Sequence, residues 1–220
     1  MNIFALSRNP HDASIQMIDK HVIKMPTESC QMLHTNALYF DYIEHFGVDP
    51  TLKQLKQFHK DIGSKLMKPA MLNHPSTIWA RETIHNYRWL FEHAKALCSE
   101  YTIRYGKIHG SEERILDVAY IVHEDSNWQL ATPVSIAMDD KYRLPNEISQ
   151  TFASKWEFVI MSYRNYYLEG KWRIASWTKR DRPLWWPINH IAIKWNTIFT
   201  EMNKSGKFSI PLKLLPLEEE

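Results

Sequence analysis

The chain has 220 residues, of which 44% are hydrophobic and 24% charged. That balance is ordinary for a globular protein with a sizeable buried core. A net charge of +2 excludes bulk electrostatic attraction to nucleic acid, so any such contact must come from local patches. No apolar run approaches the roughly 20 residues that cross a bilayer, and only six glycines argue against a β-sandwich or barrel. The opening segment is too short for a signal peptide. Cys30 and Cys98 fall in predicted helices, where they read as buried thiols of a reducing compartment. A cytoplasmic location is expected, the host cytoplasm if the chain is phage-encoded.

In chain order, residues 1–6 are apolar and extended. Residues 11–38 read as a helix interrupted at Pro26, which either kinks it or begins a new helix. Residues 51–66 carry Leu52, Leu55, Phe58, Ile62 and Leu66 at helical spacing with lysines between them, a surface helix. Asn73-His74-Pro75-Ser76 is a turn leading to the longest helix, about 77–104. Trp79, Asn86, Leu90, Ala94, Leu97 and Tyr101 form its buried stripe, and Gly106 ends it. Ser111-Glu112-Glu113 starts a helix running to about residue 123, and 127–143 is irregular. Further helices are predicted at 146–168 and 189–202. The fold class is mainly α: a compact single-domain bundle of six to eight helices over residues 1–202, with 203–220 a poorly ordered tail.

The chemistry concentrates in Asp19-Lys20-His21-Val22-Ile23-Lys24-Met25-Pro26-Thr27-Glu28. With each helical residue advancing about 100°, His21, Lys24, Glu28 and Gln31 fall within roughly 80° of one another. Ile15, Ile18, Val22 and Leu33 share the neighbouring, burial-prone face. An imidazole, an amine and a carboxylate within reach of one another can perform acid/base or nucleophilic work on a bond to carbon. The same arrangement also fits a merely solvated helix face.

Three other stretches could contact nucleic acid. Asn73 and His74 open a helix whose free N–H groups could hold a phosphate, with Arg81 further along. The irregular segment 132–143 offers Arg143. Residues 163–186 hold six basic side chains against two acidic ones, a local charge of +4. Lys171 and Arg180 stand there among Trp177, Trp185 and Trp186, so cations for phosphates lie beside indoles for stacking. Tryptophan-rich cores with stacked arginines produce the same pattern. None of the eleven histidines pairs with another at i,i+3 or i,i+4, and there is no Cys-x-x-Cys. No metal and no cofactor is therefore expected. Neither a Gly-rich phosphate loop nor a Gly-x-Ser-x-Gly nucleophile motif occurs.

These residues, in this order, resemble the phage pyrimidine-dimer DNA glycosylase (endonuclease V) family and its bacterial relatives. Asp19, His21, Lys24 and Glu28 with Gln31-Met32-Leu33 look like the family's opening helix. Asn73-His74-Pro75 with Trp79, and Glu100 with Arg104-Tyr105-Gly106, look like its later blocks, so that the resemblance spans about residues 1–145. It implies an all-helical enzyme that extracts and excises a DNA base, with Glu28 in the place of the family's essential glutamate. The family's nucleophile is an N-terminal α-amine exposed once the initiator methionine is removed. Here the second residue is Asn2, large for ordinary removal, so Met1 is expected to stay and Lys24 becomes the candidate amine. The function expected is phage-type DNA base processing: a glycosylase, with lyase activity or as a base-modifying relative. Glu28, His21 and Lys24 are the catalytic candidates, and modified or damaged DNA is the partner. The alternatives are a non-catalytic nucleic-acid-binding protein and an enzyme acting on free nucleotides.

Overall fold

A computed structural model describes residues 2–204. Within them are eight α-helices and no strand: α1 (Pro10–Ile15), α2 (Asp19–Phe46), α3 (Leu52–Asp61), α4 (Pro75–Glu82), α5 (Ile84–Tyr105), α6 (Glu112–Leu116), α7 (Lys155–Tyr166) and α8 (His190–Lys204). The protein is mainly α. No described helix is long and apolar enough to cross a membrane. The predicted tail beyond residue 204 lies outside the described residues.

The long helices α2 and α5 pack against each other, flanked by α1, α4 and α6. Their shared core includes Val22, Met32, Leu33, Trp79, Tyr87, Trp89, Leu90 and Leu97, all essentially inaccessible to solvent. The extended stretch Ile3, Phe4, Ala5 and Leu6 is buried in the same core. A smaller cluster of Leu38, Tyr42, Leu55, Phe58 and Leu72 pins α3 to the second half of α2.

Pro26 neither ends α2 nor begins a helix. It is buried within a helix that continues from Asp19 to Phe46. Proline has no N–H, so the ladder loses the bond to the carbonyl of Val22 there, and the tertiary packing of a long helix absorbs the loss. The predicted helix 77–104 is instead two. Thr83 is extended, and its hydroxyl accepts from the Asn86 N–H at 3.0 Å, capping α5 and ending α4 one residue earlier. Gly106 closes α5 at φ 68°, the left-handed conformation in which a Cβ would be strained. The predicted helix 146–168 divides into a 3-10 turn at Asn146–Thr151 and α7, capped by Ser154. A π-turn, Tyr167–Lys171, follows α7. There a Cβ on Gly170 would come within 2.7 Å of the Tyr166 ring, so the close approach of backbone to ring requires glycine.

The start of α2 is anchored by a buried ionic network. The guanidinium of Arg104, whose side chain is fully buried, donates to Glu100 Oε1 at 2.7 Å, Asp19 Oδ1 at 2.8 Å and the Ile15 carbonyl at 2.9 Å. Arg180 donates to both oxygens of Glu100, with Nη2 to Oε2 at 2.7 Å. Asp19 also accepts from the Thr178 N–H and hydroxyl, each at 2.9 Å. Burial opposes ionisation of Asp19, but these donors outweigh it and hold the carboxyl below its ordinary value. The network joins α2, α5 and the C-terminal segment, and so sets where the polar face of α2 points.

Candidate active site

Glu28 lies three turns into α2, a carboxylate between two nitrogens. Oε1 pairs with Lys24 Nζ at 2.9 Å, one helical turn back. Oε2 accepts from the backbone N–H of Asn2 at 3.1 Å. The i,i+4 spacing predicts the first contact. The second comes from the opening segment folding back across α2.

Asn2 is held in place by its side chain. Nδ2 donates to the Ala137 carbonyl at 2.7 Å, while Oδ1 accepts from the Ile3 N–H at 2.8 Å and from the Tyr163 hydroxyl at 3.0 Å. The Tyr163 hydroxyl also reaches the Ser135 carbonyl at 2.8 Å, and full burial raises its pKa. The irregular segment 132–143 therefore serves the site through main-chain groups that position Asn2. Neither Asn2 nor Tyr163 stands out in the sequence as a site residue, because Asn2 is positioned by Ala137 and Tyr163, both more than a hundred positions away.

His74 caps α4, its Nδ1 accepting from the Ser76 N–H at 3.2 Å. Burial lowers its pKa, and the negative charge of Glu28 pulls the other way, so the two are electrostatic neighbours. Asn73 beside it is exposed. Gln31, one turn beyond Glu28, donates to the Lys68 carbonyl at 2.8 Å. Glu28, Lys24, Asn2 and Gln31 thus gather along one side of α2.

His21 belongs to the core beneath this site. It is buried, stacked on Phe4 at 4.2 Å, and shares a 2.6 Å hydrogen bond through Nδ1 with the Tyr167 hydroxyl. Burial, then the charges of Lys171 and Lys24, push its pKa down to about 3. The imidazole is therefore neutral near pH 7, and in that state it cannot act as a cationic phosphate clamp. Lys171 holds its ammonium 4.7 Å from the Tyr166 ring.

The remaining side chains expected to bind nucleic acid have intramolecular partners. Arg81 donates to the Leu72 carbonyl at 2.7 Å and lies 4.6 Å from the Tyr39 ring. Arg143 bonds Asn146 at 2.6 Å. Arg180 is bound to Glu100 as described. Trp177 and Trp185 donate their indole N–H groups to the carbonyl and the side chain of Gln16, at 3.0 and 2.6 Å. Trp186 is 3% exposed and meets Trp177 edge-on at 5.0 Å. The aromatic C-terminal segment does lie over the first turn of α2, as the Asp19–Thr178 and His21–Tyr167 contacts show, with Trp186 buried and Trp177 and Trp185 half-buried, their indole N–H groups bound to Gln16. Among the described residues no cluster of His, Cys, Asp and Glu could hold a metal ion.

The family model for pyrimidine dimer DNA glycosylases matches residues 1–112, just over half of the chain. The protein belongs to the pyrimidine dimer DNA glycosylase family. No curated protein and no solved structure matches the chain. The matched stretch ends before the predicted limit near 145. It contains Asn2, Lys24, Glu28, His74, Glu100 and Arg104, and so both the Glu28 cluster and most of the ionic network that anchors α2. The family's chemistry is that of DNA glycosylases, which makes DNA the class of substrate.

Proposed function

We propose that the protein excises a damaged or modified base from DNA, with a pyrimidine dimer as the first substrate to test, and that Glu28 is its acid/base. The observation that carries this is the Glu28 carboxylate held between the Lys24 amine and the nitrogen of residue 2, within the stretch that matches the glycosylase family. An amine attacks C1′ of the target nucleotide as the glycosidic bond breaks. The base leaves with the bonding pair and takes a proton from solvent water, and the surplus proton on the amine passes to Glu28. Opening of the sugar ring then moves the C1′–O4′ pair to O4′, which takes that proton, and leaves an iminium at C1′.

Two nitrogens can supply the amine. Lys24 has a side chain 70% exposed and pairs its ammonium with Glu28 at 2.9 Å. The nitrogen of Asn2 is partly buried, and its side chain is held by three hydrogen bonds; it is an amide while Met1 stays, as the size of Asn2 leads one to expect, and serves as a primary amine only once Met1 is removed. Geometry favours Asn2, with Lys24 the alternative. Asn73, His74, Lys171 and Arg143 remain suited to contact the DNA around the site, whereas Arg81, Arg180 and the three tryptophans serve the fold.

Borohydride trapping on ultraviolet-irradiated duplex DNA tests this reading. We expect a covalent protein–DNA adduct that mass mapping assigns to residue 2 and that Lys24→Ala retains. An adduct on Lys24 would transfer the nucleophile's role to that residue. Release of a base with no adduct would leave Glu28 activating water, and neither adduct nor release would contradict the proposal.

A further inference from the structure

A cleft of about 850 Å³ runs along the outer face of α3. Lys53, Lys56 and Lys60 of α3 line it, joined by Lys68 from the following segment, with Gln57 and His59 between them. None of the lining residues is acidic. The three α3 lysines recur at i, i+3 and i+7 and so share one helical face. The opposite face is pinned to the body by Leu55 and Phe58, so the lysines stand on a rigid support.

Four lysines elsewhere have carboxylates beside them, Lys24 with Glu28, Lys95 with Glu92, Lys141 with Asp139 and Lys194 with Glu169. Other exposed lysines, such as Lys65, Lys107 and Lys179, also lack an ion pair among the described residues but do not line this cleft. Among the described residues no carboxylate pairs with Lys53, Lys56, Lys60 or Lys68. Like charges gathered without counter-charge cost the fold some stability, a cost that a bound polyanion offsets. From Lys53 to Lys60 the face extends about 10 Å at 1.5 Å per residue. One strand of duplex DNA carries a charge per roughly 3.4 Å of axis, so about three phosphates match that length.

The cleft adjoins the candidate active site. The carbonyl of Lys68 accepts from Gln31, and Gln31 follows Glu28 by one turn, about 4.5 Å along the α2 axis. We propose that the lysine cleft is the track for the sugar-phosphate backbone of the DNA strand leading away from the Glu28 site. This rests on the base-excision reading for its choice of polyanion, and it adds a cationic surface to that of the C-terminal segment, where Arg164 and Arg180 are held by intramolecular partners while Arg173, Lys179 and Arg182 are exposed.

The test compares the full-length wild type with K53E/K56E/K60E, with the uncharged K53Q/K56Q/K60Q, and with K107E/K155E/K204E, which makes the same charge change on other surfaces. Binding to a fluorescent duplex carrying one thymine dimer is measured between about 50 and 200 mM salt. Single-turnover excision is measured at saturating protein, and circular dichroism checks the fold. We expect the α3 reversal to weaken binding at low salt by at least about tenfold and to reduce the slope of log K against log salt by about 2. The glutamine variant should reduce the slope by a similar amount. The saturated excision rate should hold, because these lysines do not touch the reacting sugar. The control triple variant should lose distinctly less of the slope. Wild-type slope and affinity in a folded α3 variant would overturn the track even while the wild type excises bases. A wild type that excises nothing, with a slope that still collapses on α3 reversal, would keep the track and sink the excision reading instead.

Discussion

At the scale of single residues, burial decides which titratable groups can do chemistry. His21 and His93 are both driven down to about pH 3, first by burial, with Lys171 and Lys24 adding to the effect at His21 and His11 at His93. His93 stacks on Trp89 at 4.9 Å, and neither of its ring nitrogens has a partner. The unfolded chain takes up a proton on each histidine near pH 6.5, while the folded chain does so only near 3. Each group therefore removes stability as pH falls through that interval, at about 1.4 kcal/mol per pH unit. His93→Phe is expected to flatten the acid-side decline of unfolding free energy by about that slope, read by urea denaturation at pH values from 7 to 4.5. A decline as steep as in wild type would show that His93 titrates normally in the fold. The sequence could place His21 on the polar side of α2 by angle alone. It could not show that Phe4 and Tyr167 close over it, because neither is a helical neighbour.

At the scale of elements, the ionic network explains why Asp19, Glu100 and Arg104 fall together in the family resemblance: they lock the start of α2 to the end of α5. Arg104 leaves no exposed side-chain surface and binds two carboxylates. Arg104→Met would leave Asp19 to the Thr178 donors and Glu100 to Arg180, each short of its buried counter-charge, and a destabilisation of about 3–5 kcal/mol is expected, measured by chemical denaturation. A loss below about 1 kcal/mol would mean that the pairing is worth no more than a surface ion pair. Elements with local signals were legible from sequence. These include α3 with its 3.6-residue apolar spacing, the stop at Gly106, the helix beginning near 190 and the buried stripe of α5. What escaped was settled by contacts at long range or by one residue's cap. Pro26 is carried inside α2 by packing, Thr83 divides two helices with one hydroxyl, and Gly170 makes room for a π-turn against Tyr166. Arg180 reads as a phosphate ligand in sequence because its partner, Glu100, is 80 positions away.

At the scale of the whole molecule, the mainly α class and the Glu28–Lys24 pairing were both readable from periodicity. The approach of Asn2 to Glu28 was not, since it depends on the opening segment crossing α2 under the hold of residues 135–137 and Tyr163. Cation and aromatic content pointed to the C-terminal segment as the nucleic-acid surface. Composition cannot tell an indole facing solvent from one facing Gln16, and the unpaired lysines of α3 lie on the other side of that ambiguity. The resulting picture is a proposed acid/base centre at Glu28 on α2, backed by a core that holds His21 neutral and flanked by a cationic cleft. Its central claim is that Glu28 moves the proton in base excision. Single-turnover excision on dimer-containing duplex, wild type against Glu28→Gln at saturating protein, measures this directly. The account predicts a fall of about 10²–10⁴-fold in rate with DNA affinity nearly unchanged. A Glu28→Gln protein that excises at the wild-type rate would contradict it.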